Sequence, residues 1–119
     1  MNPINVADKL ASFSEHWQPR VVGQFNGHDL MLAKVKGEFV WHRHEDTDDF
    51  FFVIKGQLTI QMRDGNVTLG PGEMYVVPKG VEHKTHADEE CELIMFEPET
   101  TLNTGNAKGV MTVEKLEWI

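Results

Sequence analysis

The amino-acid sequence predicts an all-β domain, on the strength of its turn signals and of the short apolar runs between them. Beyond residue 20, runs of apolar residues alternate with turn sequences such as Lys55-Gly56, Arg63-Asp-Gly-Asn66 and Gly70-Pro-Gly72. Many short strands at this spacing are typical of a β-sandwich or barrel. The 119 residues suit one domain that spans residues 1–119.

One helix is predicted, over residues 5–17. Asn5 is a suitable N-cap, and Pro19 ends the pattern. Between them, apolar side chains recur on one face at helical spacing: Val6, Leu10, Phe13 and Trp17. Such a stripe could dock a partner, but we expect it to pack on the domain itself.

The strands predicted beyond the helix cover 30–35, 39–44, 50–54, 58–62, 66–69, 74–77, 91–97 and 110–116. In the third of them both alternating faces are apolar, with Phe51 and Val53 on one side and Phe50 and Phe52 on the other. The outer face of a solvated barrel is normally polar. The helix or a second subunit must therefore cover this face, and a homodimer is the simpler expectation.

The balance of charged residues argues against two classes of binding partner. Eleven basic and nineteen acidic residues give a net charge of −8, which argues against nucleic acid and against an anionic membrane surface. Cys91 is the single cysteine, so no intrachain disulfide forms. The first residues lack the features of a signal peptide, and no apolar run approaches the roughly 20 residues of a membrane span. We expect a cytoplasmic protein.

Two segments carry residues that can bind a metal. In the first, His42 and His44 are two residues apart, so on one strand they point to the same side, and Asp49 follows. The second segment supplies His83. Three imidazoles and a carboxylate can hold a divalent transition metal and still leave coordination positions open for another molecule.

The order and spacing of these residues resemble the first motif of the cupin superfamily. That motif is Gly, about five residues, His-x-His, three or four residues, Glu, six residues and Gly. Here Gly37 is followed by His42 and His44, then by Asp49 and Gly56. The first motif therefore covers residues 37–56, with an aspartate in the place of the usual glutamate.

The second cupin motif is matched by residues 72–87. Gly72, Pro78, Gly80 and His83 fall in register, and Ala87 stands where asparagine is usual. The resemblance implies a small single-domain cupin of the mannose-6-phosphate-isomerase-like type, a double-stranded β-helix or jelly-roll barrel with a short N-terminal helix. It also implies one divalent transition metal per subunit at the barrel mouth, whether iron, nickel, zinc, manganese or copper. By position its ligands are His42, His44, Asp49 and His83.

The shorter acid at residue 49 leaves three coordination outcomes open. Aspartate falls short of glutamate by one methylene, about 1.5 Å of reach. The strand can shift inward, a water can bridge, or the three histidines can hold the metal alone. Glu45 and Asp48 are nearby alternative carboxylates, though a solvated acidic loop is the simpler interpretation.

Three functions remain open at this level: a metal-dependent enzyme, a non-catalytic cupin that binds a small ligand, and a metal-free degenerate cupin. As an enzyme it would be an isomerase or epimerase, a dioxygenase or a decarboxylase. The apolar strands imply a small, partly hydrophobic ligand, and no additional general acid or base stands out. Cys91 is expected to be an ordinary buried thiol, and Leu102–Asn106 a plain turn rather than a cap on the barrel mouth.

Overall fold

The computed structural model describes residues 2–119. Its one helix and eight strands, within that range, are α1 Val6–Ala11, β1 Arg20–Phe25, β2 His28–Glu38, β3 Asp49–Lys55, β4 Leu58–Met62, β5 Gly65–Leu69, β6 Met74–Val77, β7 His83–Pro98 and β8 Glu117–Trp118. The all-β fold class with a short N-terminal helix is therefore confirmed.

The long strand β7 organises the sheet. The strand order is β5-β4-β7-β2-β1-β8, and β3 pairs with both β7 and β6. The first part of β7 pairs with β4, where His83 lies opposite Met62, and its last part pairs with β3, where Phe96 lies opposite Phe50. Because β2 runs along nearly the whole of β7, the inward faces of these strands surround one core.

Alternation along the strands determines which side chains enter the core. On β3, Phe51 and Val53 are buried while Phe50 and Phe52 are only partly covered. The same period brings Leu58 and Ile60 of β4 completely inside. The inward apolar side chains of six strands, β2 to β7, form one cluster: Ala33, Val35, Phe51, Val53, Leu58, Ile60, Leu69, Val77, Ala87, Cys91 and Leu93.

The helix is shorter than predicted. It begins as expected, because the side chain of Asn5 accepts a hydrogen bond from the Asp8 backbone N–H at 2.9 Å, but it ends at Ala11 instead of residue 17. Trp17 has a left-handed backbone (φ 62°), and its N–H donates to the carbonyl of Lys34 on β2 at 2.9 Å. Pairing with the sheet has therefore replaced the last helical turns. Among residues 2–119, no helix has the length and apolar character needed to cross a membrane.

Helix α1 packs on the sheet, as expected. Its buried Leu10 joins Phe13 and Leu32 in a second apolar cluster, against which Ile54 and Ile94 also pack. The helix thus covers part of the apolar outer face of the strands.

Two strand predictions are wrong. Residues 39–44 form no strand, and only His42 makes an isolated bridge, to His83. Residues 110–116 are turns and irregular chain, and the last strand is instead the two-residue β8, parallel to β1. Strand β1 had no counterpart among the predicted strands. In both failed cases the backbone is irregular, so the period-two argument does not apply.

The connection from β7 to β8 contains a turn at residues 103–106, as predicted, and this turn also lies against the first histidine segment. The Asn106 N–H donates to the Arg43 carbonyl at 3.1 Å, and the Asn106 side-chain oxygen accepts from the Arg43 N–H at 2.8 Å. Thr104 is fully buried. Residues 102–106 are therefore part of the wall beside His44.

Candidate metal centre

Backbone hydrogen bonds bring the two histidine segments together. The His42 N–H donates to the His83 carbonyl at 2.9 Å, and the His83 N–H donates to the His42 carbonyl at 2.8 Å. This reciprocal pair places the two imidazole rings side by side, with centroids 4.3 Å apart. The second motif thus lies on the first at the residues that carry the imidazoles.

The four predicted side chains converge. The Asp49 Oδ2 atom lies 2.9 Å from His83 Nε2, 3.3 Å from His44 Nε2 and 4.0 Å from His42 Nε2. One ligand atom from each of the four residues lies within 4.8 Å of the others, and all four residues are buried. This group could hold a metal ion.

Two of the imidazoles are oriented by backbone carbonyls. His42 Nδ1 lies 2.9 Å from the Val40 oxygen, and His83 Nδ1 lies 2.9 Å from the Val81 oxygen. Because a carbonyl only accepts, each Nδ1 carries a proton, so both Nε2 atoms point to the centre, where His83 Nε2 lies within hydrogen-bond distance of Asp49 Oδ2 at 2.9 Å. Hydrogen bonding of the outer nitrogen is the usual way in which a protein orients a metal-binding histidine.

The short carboxylate of Asp49 reaches the centre. Asp49 is the first residue of β3, on the inward face, and its side chain is 3% exposed. Burial by itself raises the pKa of Asp49. The neighbouring Glu97, His44 and His83 lower this pKa by more than burial raises it, so that it lies well below the usual range. The site therefore combines one negative charge with three imidazoles, a donor set that suits a divalent transition metal.

The environment of His42 keeps its ring neutral. Burial, followed by the nearby imidazole of His83, lowers the pKa of His42 to about 4. The Nε2 lone pair is therefore free at neutral pH, which is the state that a metal ligand requires.

The alternative carboxylates are engaged elsewhere. Glu45 forms an ion pair with Arg43. Asp48 accepts a hydrogen bond from the backbone N–H of Lys79 at 2.9 Å and so ties the first motif to the turn of the second. The exposed position of both residues fits the solvated acidic loop that the sequence indicated.

Sequence reasoning missed Glu97. This residue on β7 is 4% exposed, and none of residues 2–119 donates a hydrogen bond to either of its side-chain oxygens. Burial, together with the neighbouring Asp49, raises its pKa to about 11. The sequence nevertheless indicated that Glu97 faces inward, because this residue continues the inward alternation of Leu93 and Met95.

A cleft with two adjoining compartments lies at the centre. The first encloses about 420 Å³ of empty space, its opening included, and is lined by His42, Asp49 and mostly apolar side chains, among them Trp17 and Phe39. The second encloses about 320 Å³ and is lined by His44, Asp49 and Glu97 among others. Both figures include open solvent, and the enclosed space in each compartment is much smaller.

Cys91, Trp41 and His86 lie outside the four-residue centre. Burial raises the pKa of Cys91 to about 12, so its thiol stays protonated, as expected of an ordinary buried cysteine. Trp41 stacks beneath the guanidinium of Arg63, 3.7 Å from its ring centroid. His86 approaches Asp88 at 3.6 Å.

Gly105 lets the connection 102–106 approach His44. A Cβ at this position would lie 2.9 Å from the Arg43 carbonyl carbon and 3.2 Å from His44 Nδ1, and the backbone is left-handed (φ 52°). We expect Gly105→Ala to displace His44 and to lower the affinity for a divalent metal by about tenfold. Titration against a chromogenic chelator measures this. Gly109→Ala is the control, since its added Cβ meets no atom closer than 4.0 Å, and equal affinities in the two variants would contradict the prediction.

Comparisons with known proteins place the chain in a family. The cupin domain profile matches residues 29–97. A cupin-2 domain protein from Shewanella frigidimarina is 54% identical over 81% of this chain and 94% of its own, with a TM-score of 0.80. Protein NMB1881 from Neisseria meningitidis is 33% identical over 82% and 100%, with a TM-score of 0.74. The uncharacterized protein YdbB of Bacillus subtilis is 34% identical over 69% of this chain and 67% of its own. The matched residues contain the whole four-residue centre, and the chain belongs to the cupin domain family.

Proposed function

We propose that this protein binds one divalent transition metal through His42, His44, Asp49 and His83 and uses it to bind and activate a small molecule. The observation that supports this most is the convergence of three Nε2 atoms on one carboxylate oxygen, at 2.9, 3.3 and 4.0 Å. Without a cation, the Nε2 lone pair of the neutral His42 ring lies 4.0 Å from a negatively charged oxygen, and burial makes that arrangement costly.

The four residues of the centre would bind the metal, and the cleft wall would surround the ligand. Three neutral imidazoles and one carboxylate would leave a bound cation with a net positive charge and with open coordination positions toward the cleft. Such a metal supplies Lewis acidity to a coordinated oxygen atom. The chain itself orients the imidazoles through Val40 and Val81 and excludes water with the apolar cleft wall. Isomerisation, oxygen-dependent cleavage and decarboxylation are all compatible with this arrangement.

Elemental analysis of purified protein tests the proposal. We expect about one iron, nickel, zinc, manganese or copper ion per chain, and its loss in the double variant His42→Ala/His83→Ala. His16→Ala/His28→Ala is the matched control, because both histidines lie outside the centre. Absence of metal, even after incubation with each ion, would leave the metal-free cupin as the better description.

A second assay separates an enzyme from a binding protein. The metal-loaded protein is incubated with small carbonyl and hydroxyl compounds, and their disappearance is followed by mass spectrometry. Metal-dependent turnover supports an enzyme. Saturable binding without turnover supports the non-catalytic alternative.

We also infer a homodimer, from an apolar face that helix α1 leaves uncovered. This outer face consists of Phe50 and Phe52 on β3, Met74 and Val76 on β6, and Phe96 on β7. The strands place these side chains next to one another, since Phe50 lies opposite both Val76 and Phe96, and Phe52 lies opposite Met74. Met74 and Val76 are 57% and 45% exposed. A contiguous apolar surface of this kind marks an interaction site.

Placing a charge on this outer face should prevent dimer formation. We expect Val76→Lys to shift the sedimentation coefficient from that of a dimer to that of a monomer, because an unpaired buried ammonium is costly. Analytical ultracentrifugation at micromolar concentrations measures the change. Val110→Lys should stay dimeric, since Val110 is fully exposed and belongs to the connection between β7 and β8, not to the strands of the outer face. A wild-type monomer would contradict the inference.

A further inference from the structure

We propose that the cleft is built for a small uncharged molecule with an apolar body and a hydroxyl group that donates a hydrogen bond to Glu97. This inference rests on the proposed function, because it assigns the class of molecule that the same centre binds. The first compartment supports this inference through its aromatic walls, and the second through the unpartnered carboxyl group of Glu97.

The first compartment suits a flat apolar body. Its wall includes Trp17 and Phe39, whose rings stack with centroids 4.9 Å apart, and Phe39 meets the edge of the His42 ring at 5.3 Å. Trp17 is held in place because its indole N–H donates to the Lys36 carbonyl at 2.9 Å. Rigid aromatic walls of this kind favour planar ligands through offset or edge contacts.

The absence of cationic side chains around the cleft excludes strongly anionic ligands. Within the described chain, residues 2–119, neither compartment is lined by a lysine or an arginine. A phosphate or a sugar acid is normally held by such groups. The net charge of −8 also disfavours the approach of an anion.

The unpartnered oxygens of Glu97 can accept a hydrogen bond from a ligand. Glu97 is 96% buried, yet among the described residues its oxygens find no donor. Asp29, which lies directly opposite on β2, accepts a hydrogen bond from Gln24 at 3.0 Å and offers none. A carboxyl oxygen accepts in either protonation state, so a ligand hydroxyl in the second compartment would supply the missing bond.

The remaining polar group shared by both compartments is already satisfied. The Asn103 side chain donates to the Met111 carbonyl at 2.9 Å and accepts from the Val113 N–H at 2.8 Å. Asn103 therefore serves as wall, and the buried unpartnered oxygens that remain are those of Glu97 and the Oδ1 atom of its neighbour Asp49. A site with a buried unpaired acceptor discriminates strongly against analogues that cannot donate to it.

Calorimetric titration of zinc-loaded protein tests the inference, since zinc has no redox chemistry of its own. The probes are catechol, its dimethyl ether 1,2-dimethoxybenzene, and mannose 6-phosphate. We expect catechol to bind at least tenfold more tightly than the sugar phosphate. We expect Glu97→Met to weaken catechol binding by about tenfold and to leave the dimethyl ether unchanged, because only catechol donates a hydrogen bond.

The conservative variant Glu97→Gln provides the control. Its amide oxygen still accepts, so it should retain most of the affinity for catechol. Equal losses for catechol and its ether in Glu97→Met, no loss for either, or tighter binding of the sugar phosphate would overturn the inference.

Zinc content, measured for every variant, separates the two proposals. If zinc binds and the probes show none of the expected differences, only the assignment of Glu97 and of the ligand class fails. If no zinc binds, the proposed metal function fails, and the same comparison of catechol with its ether on metal-free protein still decides the role of Glu97.

Discussion

Replacing Asp49 by asparagine is expected to lower the affinity for a divalent transition metal by at least about 100-fold, more than the loss of an outer-shell partner usually causes. Its Oδ2 atom is the point on which the three histidine Nε2 atoms converge. Asparagine keeps the shape and removes the only negative charge of the four-residue group. Competition with a chromogenic chelator measures the affinity, and circular dichroism checks that the variant is folded.

The adjacent aspartate offers a matched control. Asp48 lies one residue away but accepts a hydrogen bond from the Lys79 N–H, and Asp48→Asn keeps an acceptor there. Its metal affinity should equal that of the wild type. If Asp49→Asn also binds as the wild type does, three histidines hold the metal without the carboxylate, which is one of the outcomes that the short side chain left open.

The metal-free protein is expected to lose stability as the pH rises above 6.5. Burial and the neighbouring Asp49 raise the pKa of Glu97 from 4.5 to about 11 in the folded state. Between these values the folded chain holds a proton that the unfolded chain has lost. The stabilisation is therefore complete below pH 4.5 and decreases as the pH rises, by at most about 1.4 kcal/mol per pH unit. We expect a loss of about 2 kcal/mol between pH 6.5 and 8.5.

The contribution of His42 to the stability of the metal-free protein changes with pH in the opposite direction, and at lower pH. Its folded pKa of about 4 lies below the ordinary value of 6.5, so its contribution is complete above pH 6.5 and is lost as the pH falls toward 4. Between pH 4.5 and 6.5 the two contributions change with opposite sign and largely cancel. Metal-free stability should consequently be nearly constant there and decline only on the alkaline side.

Urea unfolding of chelator-treated protein at pH 5.5, 6.5, 7.5 and 8.5 measures both contributions. Glu97→Gln should be insensitive to pH above 6.5, and it should expose the loss due to His42 below that value. Glu89→Gln, at a position 91% exposed on the side chain, should follow the wild-type profile. A wild-type stability that rises between pH 6.5 and 8.5 would contradict this account.

The candidate metal centre was predictable because its residues obey local rules. His42 and His44 are two apart, Asp49 begins a strand that alternates cleanly, and glycines mark the turns of both motifs. These spacings also allow the cupin family to be identified from residues 37–87. The structure adds that the four side chains meet, which the backbone bonds between His42 and His83 bring about.

Other features depended on contacts between distant parts of the chain. The helical stripe predicted Trp17 on a helix, but hydrogen bonding to Lys34 and Lys36 of β2 turns its ring toward the cleft. The connection 102–106 reads as an ordinary turn, because nothing local indicates that Asn106 will bond to Arg43.

The position of Glu97 beside Asp49 is the clearest example of a feature that local sequence patterns do not predict. The alternation along β7 assigns it to the inward face, but its significance comes from Asp49, which approaches it from a strand 48 positions earlier in the chain. Sequence periodicity thus determines which side chains turn inward, because the strand geometry repeats every two residues. The distances, the burial and the missing hydrogen-bond donors that turn those side chains into a site depend on how the barrel closes, and only the tertiary structure decides them.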